Sequence, residues 1–517
     1  MRSEPDPLAR RVRSTPDRPA LVEAGTGATL RYEELDERVR TLAGHLAGLG
    51  LDAGDHLGLL APTSTESVGL VHAAWRLGLR LVPLNVRLAD PELAAQAARA
   101  DLDALACVGE TAATALSIVD LSVVSIDDGR GDSGTRADSG RLDAVEGVEP
   151  LPSVDPEPFE PATWHADDPA LAMFTSGTTA DPKAVTLTMG NLTASATASA
   201  FRLGVLPTDR WLLCLPVYHM GGLAPVLRTA LYGTTLVVQE GRSGFDPEDV
   251  VRTTREHDVT GLSLVPTQLD RLLDAGPDLA DSVRTVLLGG APAPPELIDR
   301  CERRGVPVHP TYGLTETASQ VATATPEQAF AHPGTVGQPL FGTEVTIVDD
   351  DGEPLPAGES GEVVVSGLTV TPGYYDDADA THRACCDHGL RTGDVGRVDE
   401  AGRLWVTGRL DDRILSGGEN VRPEAVAAAL RTHPSVADAA VVGLDDTEWG
   451  QWVAALVVPV ADTGSDADVD EDALLDHCRE RLAGYEVPKT VRFANGLPRT
   501  ASGTVDRDAV RRALVEE

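Results

Sequence analysis

The chain has 517 residues, 42% of them apolar, enough for more than one domain with a sizeable core and far beyond a small disulfide-stapled scaffold. Its 43 Lys and Arg against 81 Asp and Glu give a net charge of −38, a surface that repels nucleic-acid phosphates and anionic lipid. Lysine occurs only at Lys183 and Lys489, and so acidic a chain resembles a protein adapted to high salt, where the Debye length falls to about 3 Å at 1 M. Screening then stabilises the compact state, so the melting temperature is expected to rise between about 0.1 M and 3 M KCl; an unchanged value would count against this reading.

Six cysteines, at 107, 214, 301, 385, 386 and 478, form no CxxC and no regular spacing, which predicts neither a disulfide framework nor a zinc ribbon and suits a reducing cytoplasm. No apolar stretch follows Arg10, Arg11 and Arg13, and no apolar run nears the ~20 residues of a bilayer span, so a soluble cytoplasmic protein is expected. A homo-oligomer is among the states this composition allows.

In chain order, residues 32–49 read as a helix, 56–60 as a strand, 68–77 as a second helix and 81–83 as the next strand, an alternation that predicts parallel α/β layers. From about 127 to 168 the composition shifts to Asp, Gly, Ser, Pro and Glu, the mark of an acidic surface excursion or linker. A short apolar strand at 170–174 leads into a Gly/Thr/Ser loop, and α/β alternation resumes to about 341. Residues 342–370 change to period-2 strands, predicting a β-rich subdomain. Beyond 409 the order is helix (423–432), strand (436–442), strand (452–460), helix (471–483) and strand (490–493), a small α+β module. The expected fold is therefore α/β, with a large N-terminal domain over 1–408 and a small C-terminal domain over 409–517.

The most informative segment is MFTSGTTADPKAV, 173–185. Hydroxyls at Thr175, Ser176, Thr178 and Thr179 surround Gly177 directly after a strand, with Lys183 close behind. Such a loop turns hydroxyls, backbone N–H groups and a cation toward one point, as a triphosphate requires. It lacks the GxxxxGK[ST] pattern of the common P-loop. In YGLTETA, 312–318, Glu316 between Thr315 and Thr317 offers hard oxygen ligands of the kind magnesium takes.

The loop resembles that of the adenylate-forming enzymes (acyl-CoA synthetases, peptide-synthetase adenylation domains and luciferases), usually TSGTTGxPKGV; Ala180 and Ala184 stand here where glycine is usual. The family's other motifs follow in order, so the resemblance covers about 19–513. It implies ATP, Mg²⁺ and CoA as cosubstrates or cofactor, a small-molecule carboxylic acid as partner, and catalytic roles for Thr178, Lys183 and Glu316, with Thr178 and Glu316 at the metal. It also implies that Thr175, Ser176, Gly177, Thr179, Tyr312, Gly313 and Thr315 bind the nucleotide. The LGGAP segment, through Gly290, Ala291 and Pro292, would lie against adenine, Asp394 of RTGD would hold the ribose hydroxyls, and Arg409 would meet ribose or phosphate. Asp411 would be the hinge of a mobile C-terminal domain, and Gly417, Gly418 and Glu419 would line a thiol tunnel. In LPVYHMGG, 215–222, His219 and Gly222 would border the acyl pocket, joined by Ser319.

One departure bears on the chemistry. The family reads PRTxSGKxxR near its C-terminus, whereas here Thr504 replaces the lysine that bridges carboxylate and α-phosphate. Slow adenylation, replacement by Arg499, Arg507 or a solvent cation, and a chain that only binds nucleotide or acyl-adenylate all remain open. No acidic residue lies between Asp209 and Glu240, which disfavours an amino-acid substrate. Within the acyl-CoA synthetases, GLSLVPTQL, LLGGAPAP, YGLTETASQVAT and GTVGQPLF most resemble the branch that joins 2-succinylbenzoate to CoA for menaquinone biosynthesis; a general medium-chain or aryl acyl-CoA synthetase is the alternative.

Overall fold

The helix Thr65–Leu77 shows how local sequence sets the architecture. Ser64 and Ser67 exchange hydrogen bonds across its first turn, Ser67 N donating to Ser64 Oγ (3.2 Å) and Ser64 N to Ser67 Oγ (2.9 Å), and Gly78 ends it in the left-handed region at φ 90°. This polar cap explains why the helix starts three residues before the apolar stretch that predicts it. Every residue after the first turn is buried, so the helix is central rather than amphipathic. Its one guanidinium, Arg76, is 2% exposed and is held by Asp6 (2.6 Å) and Asp36 (2.6 Å), as a buried charge requires. Asp6 also accepts from Ala9 N (3.0 Å) and so caps the helix Pro7–Val12, whose Arg11 donates to the carbonyls of Ala230 (2.9 Å) and Leu231.

The computed structural model describes residues 3–127, 147–175, 182–240, 244–276, 278–410, 412, 414–416, 419–421, 423–446, 450–460, 471–499 and 505–515. They divide into two units, Met1–Val345 with Val365–Leu390, and Thr346–Val364 with Arg391–Glu517. Among the described residues no helix is long and apolar enough to cross a membrane.

The first unit holds two large sheets. In the eight-stranded one, Pro169–Phe174, Arg80–Pro83, His56–Leu60, Ala104–Cys107, Ser122–Ser125 and Glu149–Pro150 run parallel in that order, and Ala184–Thr188 then Gly373–Tyr374 extend the Pro169–Phe174 edge antiparallel. In the nine-stranded one, Val308–Leu314, Thr285–Leu288, Gly261–Leu264, Arg210–Leu213, Thr235–Val238 and Pro19–Glu23 are the parallel centre. Leu57, Leu59 and Leu171 of the first sheet and Leu213, Leu236 and Val238 of the second share one core with Trp75, Leu223 and Leu227. The expected parallel layers are therefore present, and the strands Thr343–Val348 and Ser360–Gly367 form in the β-rich stretch.

Within the polar stretch at 127–168, residues 128–146 lie outside the described residues, and the described part, 147–168, packs more closely than its composition suggests. Leu151 is fully buried and Trp164 is 6% exposed; Trp164 donates to Trp75 O (3.0 Å), Ala162 N to Arg76 O (2.9 Å) and Glu157 N to Gly44 O (3.0 Å). Two large side chains and backbone hydrogen bonds anchor residues 151–164.

In the second unit the hairpin Val436–Asp446 and Gly450–Pro459 is flanked by Ile414–Ser416, Glu419–Val421 and Thr490–Phe493. Alternation decides its layers: Ala439, Val441, Val453 and Val457 meet the helices Pro423–Arg431 and Glu471–Arg479. Ala440, Val442, Ala454 and Leu456 meet Arg507–Val515 on the other face.

Candidate active site

Several predicted site loops leave the nine-stranded sheet at the carboxyl ends of its parallel strands, where open α/β sheets hold ligands. Arg210–Leu213 leads to the LPVYHMGG turn, and Thr285–Leu288 leads to Gly290, Ala291 and Pro292. Gly289 lies against Thr311, whose methyl would be 2.7 Å from an added Cβ, and Gly290 has φ 81°. The strand Val308–Leu314 pairs in parallel only through Pro310. Its outer half, carrying Tyr312 and Gly313, folds back antiparallel on Ser319–Thr323.

That fold-back presents Glu316. Thr315–Thr317 is a single tight turn closed by Thr317 Oγ1, which accepts from Leu314 N (3.1 Å). Ala318 (φ 51°) and Ser319 (φ 108°) follow with positive φ, a strained pair of a kind that concentrates at functional sites. A Cβ on Gly313 would lie 1.6 Å from Ser319 O, so only glycine lets the return strand come this close. Glu316 is half-buried, accepts from the Tyr374 hydroxyl (3.1 Å), and is paired with no cation among the described residues. Lys183 ends the connection between the paired strands Pro169–Phe174 and Ala184–Thr188, where Thr175 N donates to Lys183 O (3.3 Å). The Lys183 ammonium lies over the Tyr374 ring, 5.4 Å from its centre. Ala184 is fully buried, so the methyl that replaces the usual glycine hydrogen belongs to the core. Ser176, Gly177, Thr178 and Thr179 lie outside the described residues.

The LPVYHMGG turn caps a buried helix, Met220–Tyr232. An added Cβ on Gly222 would lie 2.1 Å from Pro216 O, so this glycine allows helix and turn to touch. Burial, aided by the Arg87 charge, pushes the His219 pKa down to about 4; its ring is neutral at pH 7, and Nε2 has no hydrogen-bond partner among the described residues. Two turns further on, Arg228 is 7% exposed and donates to Ser195 Oγ (3.2 Å), while its Nε has no partner among the described residues. No carboxylate among the described residues pairs with it, and burial pushes its pKa down. It lines a small cavity with Trp75, Leu192, Ser195, Leu223 and Ala318.

In the second unit Asp394 and Arg409 face each other across paired strands, with Nη1 3.5 Å from Oδ1. Asp394 is 8% exposed and its N–H donates to Thr392 Oγ1 (3.0 Å). The turn before it is pinned by Glu362, which accepts from Gly393 N (3.1 Å) and pairs with Arg391 (2.5 Å). Asp411, Gly417, Gly418 and Thr504 lie outside the described residues, whereas the backbone of Glu419 pairs with Ser416. Of the cations near Thr504 in sequence, Arg507 is held by Asp412 (2.9 Å) and Glu424 (2.6 Å), and Arg499 by Asp438 (2.9 Å).

Two family matches account for most of the chain: an AMP-binding enzyme domain over residues 8–375 and an AMP-binding enzyme C-terminal domain over 425–504. The chain belongs to the AMP-binding enzyme family. Among its relatives, the 2-succinylbenzoate–CoA ligase of Bacillus licheniformis is 38% identical over 97% of this chain and 98% of its own, and that of Geobacillus kaustophilus is 37% identical over 99% of each. The o-succinylbenzoate CoA synthetase of Bacillus subtilis has a similar structure. With its acyl-adenylate intermediate bound it gives a TM-score of 0.87, at 33% identity over 99% of both chains. With ATP and magnesium ion bound it gives 0.86, at 33% identity over 99% of this chain and all of that one.

In this AMP-binding enzyme the first unit brings together Lys183 and the Glu316 turn through Tyr374, and the second brings together Asp394 and Arg409. Thr315 and Glu316 are hard oxygen donors, and a half-buried carboxylate with no paired cation suits Mg²⁺. The sequence reading missed Arg228 and Tyr374. A lone arginine in the apolar stretch 223–231 was the signal for the first. Nothing local marked the second, whose partners are distant in sequence.

Proposed function

We propose that the chain is an ATP-dependent acid–CoA ligase that converts 2-succinylbenzoate, ATP and CoA into 2-succinylbenzoyl-CoA, AMP and pyrophosphate. The observation that carries the choice of acid is Arg228, a buried guanidinium in an apolar cavity with no carboxylate partner among the described residues. Leaving such a charge unpaired is costly. An acid with two carboxylates can present one to ATP and leave the other to Arg228, whereas a fatty or simple aryl acid has none to spare.

In the first step a carboxylate oxygen bonds to the α-phosphorus as the bond to pyrophosphate breaks, giving the acyl-adenylate. In the second the CoA thiolate bonds to the acyl carbon and AMP leaves with the anhydride oxygen. The loop of Thr175 to Thr179 with Lys183 would bind phosphates, and Gly290, Ala291, Pro292 and Tyr312 the adenine. Asp394 would hold the ribose hydroxyls beside Arg409. Magnesium, held by Glu316 with Thr178 and Thr315, would neutralise phosphate charge. His219, neutral and half-buried, would close the acyl side with Ser319 at its rim. A hinge at Asp411 in a C-terminal domain of 409–517 would exchange the two steps and bring Gly417, Gly418 and Glu419 to the thiol. All six cysteines are free, which supports a cytoplasmic setting.

The test is pyrophosphate release over a panel of aromatic, keto and fatty acids, with wild type and Arg228→Leu. Wild type should prefer 2-succinylbenzoate. The variant should lose about thirtyfold in kcat/KM for that acid, roughly 2 kcal/mol, and much less for the analogue lacking the ring carboxylate. Equal losses on both acids would remove Arg228 from the acyl pocket.

A further inference from the structure

We propose that Tyr374 is a positioning residue that sets the Lys183 ammonium and the Glu316 carboxylate apart, so that both charges face the nucleotide rather than each other. The inference rests on the assignment of Lys183 and Glu316 to phosphate and metal. One aromatic side chain serves both groups. Its hydroxyl donates to Glu316 Oε1 at 3.1 Å, and its ring face carries Lys183 Nζ at 5.4 Å from the centre. Two opposite charges near one half-buried point would otherwise pair, and a lysine bound to a carboxylate is lost to phosphate as the carboxylate is lost to a cation. No Lys183–Glu316 ion pair forms among the described residues. The tyrosine occupies the carboxylate with a neutral donor, which orients it while leaving its charge intact.

The backbone fixes Tyr374 to both partners. Its strand, Gly373–Tyr374, pairs with Ala184–Thr188 in the register Val185 with Tyr374, two positions after Lys183. Tyr375 N donates to Ala184 O (2.7 Å), and Thr371 N donates to Glu316 O (2.8 Å). Thr371 Oγ1 donates to Thr186 O (2.5 Å), so one five-residue stretch is hydrogen-bonded to both motifs. Tyr374 N donates in turn to Thr381 Oγ1 (2.9 Å). Gly373 has φ 143°, and a Cβ there would lie 2.5 Å from the Thr381 methyl, so the approach depends on glycine. Lys183, Glu316 and Tyr374 are separated by 58 to 191 positions, yet this segment makes them neighbours.

The test is direct binding of a fluorescent ATP analogue titrated with MgCl₂, for wild type, Tyr374→Phe, Tyr374→Leu and Glu316→Gln, with a melting curve for each. Tyr374→Phe keeps the ring and removes the hydroxyl. It should raise the magnesium midpoint about tenfold and leave metal-free nucleotide affinity and Tm unchanged. Tyr374→Leu should also weaken metal-free binding, about tenfold, because Lys183 loses its platform. A wild-type magnesium midpoint in Tyr374→Phe, alongside a lost magnesium effect in Glu316→Gln, would overturn the inference alone. Equal weakening in both tyrosine variants with a lowered Tm would also overturn it, as a packing role. If Glu316→Gln keeps the full magnesium effect, or wild type binds no nucleotide, the metal assignment falls and the inference with it.

Discussion

Glu316→Gln is expected to lower magnesium-dependent pyrophosphate release by about a hundredfold or more and to leave the melting temperature nearly unchanged. The amide keeps the shape of the side chain and still accepts from Tyr374, whose hydroxyl is the one hydrogen-bond donor to the carboxylate among the described residues. The tight turn is held by Thr317 and by the Gly313–Ser319 approach rather than by the Glu316 charge. The change therefore removes an anionic ligand and little else. Measuring pyrophosphate release against magnesium concentration checks it. Retention of more than about a tenth of the rate, a loss short of ~1.4 kcal/mol, would show that Glu316 is not the ligand.

Thr504→Lys is expected to raise the rate of acyl-adenylate formation ten- to a thousandfold, the scale of one restored transition-state contact, and to leave the CoA step alone. The arginines that could replace the missing ammonium are committed elsewhere. Arg507 is held by Asp412 and Glu424, and Arg499 by Asp438, so recruiting either one means breaking an ion pair. Single-turnover adenylate formation and thioester formation, measured separately, decide the matter. A neutral or harmful lysine would mean that another cation already fills the place.

What could be read from the sequence follows from how locally each feature is encoded. The strand at 56–60 and the layered α/β alternation are written in residue periodicity, and they form where expected. Glycines such as Gly313 sit in motifs legible as motifs, though the reason for them, contact with a residue six positions on, needs coordinates. Arg228 was legible only as an arginine in an apolar helix. Its meaning lies in burial without a counter-ion among the described residues, which depends on Ser195 and Trp75 from other elements. Tyr374 and the segment anchored by Leu151 and Trp164 escaped for the same reason, since their partners lie far along the chain.

The salt-bridged Asp6–Arg76–Asp36 cluster has a consequence for how the protein is made. The helix Pro7–Val12 leaves the ribosome well before the residues that hold it. Its cap, Asp6, waits for residue 76, and its Arg11 for the carbonyls of Ala230 and Leu231. At about 5–20 residues per second, those last partners are synthesised roughly ten to forty-five seconds later. During vectorial synthesis this helix thus locks in two stages: Asp6 and Asp36 can pair as soon as Arg76 is made, whereas Arg11 stays in water until Ala230 and Leu231 follow.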